Sequence, residues 1–291
     1  MTTQLRFFAA ISAIIVIAGM AYLSQRSGVG VPNISNSVTS QKARLTSVND
    51  IKPVIFSSSL RKMLDASSAI ELISSLQNHA SPGTETYVRV QVALACEPSL
   101  GRQTSRPKSE SQNALISFKK SFCAKYTGTI SSEQLKLLSL PESDPYNQAY
   151  GMASELFEAI DKSPQDPKEI KTLTEQLDAM LVSKDSQMES LVAAETLKQA
   201  GVIAPTTTEF ARNNGWRLKT EDVSQAQFLS AQMKACRNFG GCGVNQLMTM
   251  KICSEQSSCA LGATTESVWR KVYSPTVYNA AMQLATYTPA F

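Results

Sequence analysis

Six cysteines constrain this chain more than any other feature, because all of them follow one uncharged, apolar N-terminal segment. The segment extends from Phe7 to Leu23, and Arg6 precedes it. A positive charge followed by an apolar run is typical of an export signal or a membrane anchor. The rest of the chain is therefore expected in an oxidising compartment, where an even number of cysteines indicates three disulfides.

The N-terminal segment has two possible fates. Its 17 uncharged residues would rise roughly 25 Å as a helix, which is at the short limit for spanning a bilayer. One interpretation is an uncleaved single-pass membrane anchor, formed by residues 7–23. The other is a signal peptide cleaved after Ala21, because Gly19 and Ala21 supply the small residues that cleavage requires. Both interpretations place the rest of the chain outside the cytoplasm.

Composition divides the chain into three parts. Residues 1–23 are the signal peptide or anchor. Residues 24–57 are rich in Ser, Asn, Val and Gly without helical periodicity, which predicts a flexible linker. Residues 58–291 are the predicted exported domain, which is long enough to bury a core without help from disulfides. The net charge of +4 is too small to indicate a nucleic-acid partner.

The domain is predicted to be all-α. Apolar residues recur at helical spacing in several stretches, of which Met152, Leu156 and Ile160 are one example. One stretch has a strand-like pattern, because residues 86–92 alternate valines with polar residues. The sequence ALAC follows it directly and favours a helix, so we expect a helix there as well.

Several helix starts are marked by capping residues. Three pairs place a capping oxygen before a proline at the first helical position: Asp144-Pro145, Asp166-Pro167 and Ser274-Pro275. Three further pairs fit the capping box: Ser131 with Gln134, Ser186 with Glu189, and Thr206 with Glu209. Starts near residues 145, 167, 187 and 207 leave about 20 residues for each helix and its connection. This spacing predicts either an irregular helical bundle or a repeat-like array of helical hairpins, stapled by disulfides.

Residues 143–159, SDPYNQAYGMASELFEA, carry a resemblance to a known class of helical repeat. The segment resembles a hairpin helix of the tetratricopeptide or Sel1-like type. The resemblance implies a helical-hairpin array over at least this part of the chain.

Four cysteines near the C-terminus have a symmetric spacing, with five residues inside each pair and ten between the pairs. A helix between Cys242 and Cys253 would separate these residues by about 16 Å, which is too far for a disulfide. A crossed pairing would join Cys236 to Cys253 and Cys242 to Cys259. We favour the local pairing, Cys236–Cys242 and Cys253–Cys259, because it needs only two tight loops at helix ends.

Cys96 and Cys123 are left to form the third disulfide, which would close a helical hairpin. Its connection carries Arg102, Arg106 and Lys108 among serines, a glycine and a proline, so we expect these three cations on an exposed loop. They are candidate partner-binding residues, and the competing interpretation is an ordinary solvated surface.

The sequence contains no recognisable metal, cofactor or catalytic motif. There is no C-x-x-C, and His79 is the only histidine, so we expect no metal and no cofactor. Ser117 and Lys120 match S-x-x-K without its companion motifs. Glu155 and Glu158 share a helix face, which is more typical of a solvated acidic surface than of a catalytic pair.

The C-terminal cysteine region also resembles a group of proteins. It combines CRNFGGCG, an apolar helix, a cysteine pair, and Ser-Pro opening a last helix that contains Tyr278. This arrangement is similar to uncharacterised exported proteobacterial proteins. The resemblance implies a bacterial periplasm and no particular activity. The domain 58–291 would then be periplasmic, either anchored in the inner membrane by residues 7–23 or released by cleavage.

These observations predict a non-enzymatic exported protein that binds another, unidentified envelope protein, as a subunit or assembly factor of an envelope complex. The alternative is an envelope hydrolase that acts on peptidoglycan or peptide through a carboxylate site. An exposed apolar groove would favour the binding protein. A deep cleft with two converging carboxylates would favour the hydrolase.

Overall fold

A computed structural model describes residues 64–97, 110–162, 165–183, 188–255 and 259–287. The predicted anchor or signal, the linker 24–57, and the cations Arg102, Arg106 and Lys108 lie outside the described residues. Within the described ranges the chain forms only helices and no strand, so the all-α prediction is confirmed. None of these described helices is both long enough and apolar enough to cross a membrane.

Twelve helices follow one another along the described residues. The first six are α1 (Ala69–His79), α2 (Pro82–Cys96), α3 (Glu110–Phe122), α4 (Ile130–Leu138), α5 (Pro145–Asp161) and α6 (Pro167–Val182). The last six are α7 (Glu189–Gln199), α8 (Pro205–Asn213), α9 (Thr220–Phe239), α10 (Leu247–Glu255), α11 (Thr265–Val272) and α12 (Pro275–Thr286).

The three predicted proline starts are confirmed. Asp144, Asp166 and Ser274 each accept a hydrogen bond from a backbone N–H of the first helical turn. Proline at the next position lacks the N–H that would otherwise have no partner there. The cap and the proline act within four residues, which is why the sequence alone locates these starts correctly.

Two of the predicted capping boxes are wrong. α4 begins at Ile130, so Thr129 caps it and exchanges hydrogen bonds with Ser132. α8 begins at Pro205, and the hydroxyl of Thr206 donates to Asp178 instead of capping its own helix. In both cases the helix starts earlier than the pattern implies. Ser186, the cap of the third predicted box, lies outside the described residues.

The strand-like stretch is helical, because it forms the middle of α2. Val88, Val90 and Val92 are all buried, with at most 5% of any side chain exposed. α2 contacts α1, α4, α5 and α10, so most of its circumference is covered by other helices. The alternation of valines therefore reflects a helix that is buried on several sides rather than a strand.

Helix packing combines neighbours in the chain with distant elements. α5, α6 and α7 pack on one another around Leu156, Leu177 and Leu197. α10, in contrast, packs on α2 and α3, which are more than 120 residues away in the chain. In a linear repeat array each unit contacts only its neighbours. The contacts of α10 are therefore those of an irregular bundle.

A double-glycine turn joins α9 to the start of the described domain. Gly240 and Gly241 have positive φ angles of 79° and 78°. The Gly241 N–H donates to the Asp65 carboxylate at 2.8 Å, and the Leu64 N–H donates to the Phe239 carbonyl at 2.8 Å. A Cβ atom on Gly241 would lie 2.7 Å from the Leu64 Cβ. The glycines of CRNFGGCG thus allow a close backbone contact that a larger residue would obstruct.

Candidate functional site

Three disulfides hold the ends of four helices. They join Cys96 to Cys123, Cys236 to Cys242, and Cys253 to Cys259, with Cα–Cα distances of 5.6, 5.7 and 5.4 Å. This is the local pairing that the sequence favours. Cys242 precedes the start of α10, so a turn and then a helix separate it from Cys253. The first disulfide connects the last residue of α2 to the residue that follows α3, and so closes the predicted hairpin.

A shallow groove of about 320 Å³, including its open mouth, lies between α3 and the disulfide-bonded loops around α10. We call it the stapled groove. Most of its lining is apolar, and it comprises Ala114, Leu115 and Phe118 from α3, Asn245, Thr249, Met250 and Cys253 at and before α10, and residues 260–263.

One exposed apolar side chain lines this groove, and a second is the chain neighbour of a lining residue. Leu261, which lines it, is 65% exposed, and Val244, next to the lining residue Asn245, is 48% exposed. Single exposed apolar residues are common on protein surfaces. Here, however, Leu261 is part of an apolar groove, and exposed apolar area that continues into a groove marks a surface suited to binding.

A buried threonine network fixes the loop that carries Val244. The Thr249 hydroxyl donates to the Gly243 carbonyl at 2.8 Å and lies 2.7 Å from the Thr265 hydroxyl. The Thr265 N–H is within 3.0 Å of the Thr249 oxygen and 3.1 Å of the Cys242 carbonyl. Thr249 and Thr265 have at most 4% of their surface exposed, so these bonds are shielded from water. The loop, α10 and the start of α11 are therefore joined by hydrogen bonds as well as by sulfur.

The opposite wall of the groove is fixed at the C-terminal end of α3. Phe118 and Phe122 pack with ring centroids 4.8 Å apart, and the disulfide at Cys123 follows immediately. The Lys119 ammonium donates to the backbone carbonyl of Glu97. Burial lowers the pKa of Lys119, and the nearby Glu97 charge opposes that shift. Disulfides and hydrogen bonds therefore hold both walls of the groove at their ends.

The groove offers apolar contact and little acid–base chemistry. Among the described residues that line it, none is acidic and none is a histidine. In the described part of the chain, no group of three His, Cys, Asp or Glu side chains is placed to hold a metal ion. The arrangement can bury an apolar side chain of a partner, and Asn245 and Thr249 can contribute polar contacts at its edge.

The predicted site residues have different outcomes. Cys253 lines the groove and its disulfide holds the loop with Leu261, whereas the candidate cations Arg102, Arg106 and Lys108 lie outside the described residues. Glu155 and Glu158 are exposed on α5, as expected for a solvated face. Sequence reasoning did not identify Leu115, Phe118 or Leu261, because their proximity depends on α3 packing against α10. The only local signal was the apolar sequence CALGA directly after a predicted disulfide.

Comparison of the chain with protein-family models, with curated proteins and with solved structures finds no match. The resemblances to exported proteobacterial proteins and to tetratricopeptide or Sel1-like hairpins stay predictions.

Proposed function

We propose that this chain is a non-enzymatic, exported binding protein that holds an apolar segment of another envelope protein in the stapled groove. The observation that carries the proposal is the combination of an exposed Leu261 with an apolar groove between bonded walls. An exposed apolar groove favours the binding protein over the hydrolase. The hydrolase would need two converging carboxylates, and the described groove residues contribute none.

A periplasmic location fits this proposal. Disulfides persist in oxidising compartments, and all six cysteines of the chain are paired. Residues 7–23 would either anchor the domain in the inner membrane or be removed after export. The linker 24–57 would let an anchored domain reach a partner some distance from the membrane.

The rigid walls suit a binding role. A partner that binds a flexible loop must order that loop, at roughly 0.5–1.5 kcal/mol for each immobilised side chain. Disulfides and the Thr249 network reduce this cost because the walls are already ordered. An apolar anchor in such a groove would supply most of the binding energy, and the surrounding contacts would exclude water from it.

The basic segment before α3 is proposed as a second, electrostatic contribution. Arg102, Arg106 and Lys108 directly precede Glu110, where the groove-lining helix α3 begins. Rim charges of this kind accelerate association and weaken with salt. Replacing all three with Ser should lower the association rate at low ionic strength and have less effect at physiological salt. Unchanged rates at both salt concentrations would assign these residues to ordinary solvated surface.

The groove is tested by site-specific photo-crosslinking in the native envelope. A photoreactive amino acid is placed at position 261, and a matched one at Leu135 on α4, whose side chain is 57% exposed. We expect a discrete crosslinked protein from position 261 and none from position 135. A peptide containing the crosslinked segment should bind the purified domain, and Leu261→Asp should weaken that binding at least tenfold.

Two outcomes contradict the proposal. Identical crosslinking patterns from positions 261 and 135 would indicate collisional capture rather than a specific groove. Hydrolysis of the crosslinked partner by the purified chain would favour the hydrolase instead.

A further inference from the structure

A second cleft differs from the stapled groove in its chemistry. It occupies about 420 Å³, including its open mouth, where α6, α7, α8, α9 and α12 meet. We call it the donor cleft. Its apolar part is formed by Leu181, Val182, Ala231 and Leu284, and its polar part by Ser190, Thr206, Thr207, Gln227, Ser230, Lys234 and Tyr287.

Gln227 supplies the most informative polar group of the donor cleft. Its side chain is 2% exposed, and its Oε1 accepts a hydrogen bond from the Ala204 N–H at 2.7 Å. An N–H donor requires an oxygen acceptor, so this bond fixes which end of the amide is Nε2. Nε2 is buried and has no hydrogen-bond partner. A buried donor left unpaired costs about 1–3 kcal/mol, so it marks a position where an acceptor would bind favourably.

Lys234 supplies a cation in the same cleft. It is half-buried, and it forms no ion pair with any described carboxylate. Burial lowers its pKa, and the neighbouring positive charge of Arg237 lowers it further. An ammonium group at this position therefore lacks a counter-ion among the described side chains, and an anionic ligand would supply one.

One carboxylate lies beside the donor cleft, and its oxygens are already engaged. Asp178 accepts hydrogen bonds from both the N–H and the hydroxyl of Thr206. Its charge is thus directed at the N-terminal turn of α8, which has no other side-chain cap. No acidic side chain is among the described residues that line the cleft itself. The unsatisfied groups of the cleft are consequently donors rather than acceptors.

We propose that the donor cleft binds a small organic acid. One carboxylate oxygen would accept from Gln227 Nε2 and the other from the Lys234 ammonium. The short apolar part of the ligand would lie against Leu181, Val182 and Leu284. One ammonium and one neutral amide match a single negative charge. A phosphate dianion is better matched by several cations or by bidentate arginine, so a monocarboxylate fits this site more closely.

The proposal is tested by titrating the oxidised, full-length, ¹⁵N-labelled chain with butanoate, and in parallel with butanol, butylamine and inorganic phosphate. We expect saturable shifts of the Gln227 side-chain amide and of α8 and α9 backbone resonances with butanoate below about 50 mM. That range covers the millimolar dissociation constants that a ligand this small can reach. Butanol, butylamine and phosphate should each bind at least about tenfold more weakly.

Three variants connect binding to the named donors. Gln227→Glu preserves the acceptor for Ala204 and replaces the unpaired donor with a negative charge. Lys234→Met removes the cation while preserving most of the side-chain volume. Each should weaken butanoate binding about tenfold or more, whereas Lys271→Met on the exposed surface of α11 should leave it unchanged. Thermal unfolding establishes that each variant is folded. If Gln227→Glu does not fold, the butanoate affinity of Lys234→Met tests the proposal.

Two results would overturn the proposal. One is the absence of saturable butanoate shifts, or equally strong binding of butanol. The other is butanoate binding that survives unchanged in the folded Lys234→Met variant. Neither result bears on the stapled groove, whose test uses a different surface and a different readout.

Discussion

The stapled groove and the donor cleft are formed by one helical domain, but different forces keep them in shape. At the groove, disulfides hold the loop with Leu261 and the end of α3. At the donor cleft, hydrogen bonds perform that role: Asp178 binds the first turn of α8, and Gln227 binds the residue that precedes it. No cysteine occurs between residues 123 and 236 or after residue 259, so α6, α7, α8 and α12 carry no disulfide. The Cys236–Cys242 disulfide links the last turn of α9 only to the loop that follows it.

Helix length accounts for part of the difference. α10 at the groove has 9 residues, whereas α6 and α9 at the donor cleft have 16 and 20. The 9-residue α8 of the donor cleft is held by the hydrogen bonds from Thr206 to Asp178. Helices of two turns are not stable alone and bury little apolar surface. A disulfide compensates by lowering the entropy of the unfolded chain. The longer α6 has a side-chain cap at Asp166 instead of a disulfide.

Removing the disulfide with the longest loop should have the largest effect on stability. Cys96 and Cys123 are 27 residues apart, so Cys96→Ala with Cys123→Ala should lower the free energy of unfolding by about 3.5 kcal/mol in the loop-entropy model. The matched variant, Cys253→Ala with Cys259→Ala, removes a disulfide between residues only 6 apart. It should lower the free energy of unfolding by about 2 kcal/mol. Urea unfolding measures both. A larger loss from the shorter loop would mean that native packing, and not chain entropy, determines their contribution.

The glycine turn next to the groove should give the second-largest effect. Gly241→Ala would force a non-glycine residue to adopt a φ of 78° and would place its Cβ 2.7 Å from the Leu64 Cβ. Backbone strain and crowding together should cost about 2.5 kcal/mol. Gly215→Ala is the matched control, because its φ is 63° but no atom lies within 4 Å of the added Cβ. The control should cost about 1 kcal/mol, and equal losses would exclude the contact with Leu64 as a cause.

Local features of the fold were predictable from sequence, because their partners are near in the chain. Asp144 and Asp166 act on the helix that follows them directly, and Cys236 needs to reach only six residues to Cys242. The capping role assigned to Thr206 was wrong because Asp178, 28 residues upstream, binds both its N–H and its hydroxyl. A pattern within four residues cannot reveal a competitor on another helix.

Both candidate sites depend on such distant contacts. Phe118 and Leu261 meet because α3 and α10 pack together, and the periodicity of either helix does not determine that contact. Gln227 and Tyr287 line the donor cleft from different helical elements. In the sequence, Gln227 cannot be distinguished from any other polar residue of an amphipathic helix. Only the fold shows that it accepts a hydrogen bond from the Ala204 N–H. The disulfide framework was therefore predictable, and the surfaces that it and the caps support were not.

The cap between α6 and α8 should make the next-largest contribution. Asp178→Ala would remove two hydrogen bonds to Thr206 and leave the first turn of α8 without a side-chain cap, at about 2 kcal/mol. Burial raises the pKa of Asp178, and its hydrogen bonds with Thr206 oppose that shift. The control Asp166→Ala removes an exposed cap of α6 and should cost about 1 kcal/mol. Thermal unfolding compares them, and a smaller loss at Asp178 would contradict its role in joining the two helices.

Because the pKa of Asp178 is raised in the folded state, its contribution to stability should depend on pH. The folded state binds this proton more tightly than the unfolded state, so the contribution of Asp178 to stability is greatest at acidic pH. It decreases as the pH rises from the unfolded pKa near 4 through the higher folded value. The stability difference between the native chain and Asp178→Asn should change in this window. A pH-independent difference would mean that the carboxyl group titrates alike in both states.

The smallest effect at neutral pH is expected from the tyrosine that follows the Cys96–Cys123 disulfide. Burial raises the pKa of Tyr126 to about 12, and the negative charge of Glu133 adds to the shift. Its hydroxyl is buried without a hydrogen-bond partner, so Tyr126→Phe removes an unpaired polar group, which favours the variant, but leaves a small void, which disfavours it. Because these two effects oppose each other, stability at pH 7 should change by less than about 0.5 kcal/mol. Tyr146→Phe is the contrasting variant, because the Tyr146 hydroxyl lies 3.0 Å from the Thr84 hydroxyl, and its loss should cost about 1 kcal/mol at pH 7.

At alkaline pH, Tyr126 should affect the free energy of unfolding much more than it does at neutral pH. A tyrosine whose folded pKa exceeds the unfolded value near 10 favours folding below pH 10, and that contribution is lost as the pH rises toward 12. Phenylalanine does not ionise, so Tyr126→Phe should become more stable than the native chain between pH 10 and about 12. Urea unfolding at pH 7 and pH 11, with phenolate absorbance followed in parallel, measures this crossover. If the native chain and Tyr126→Phe differ in stability by the same amount at pH 7 and at pH 11, Tyr126 ionises as freely in the folded protein as in the unfolded chain.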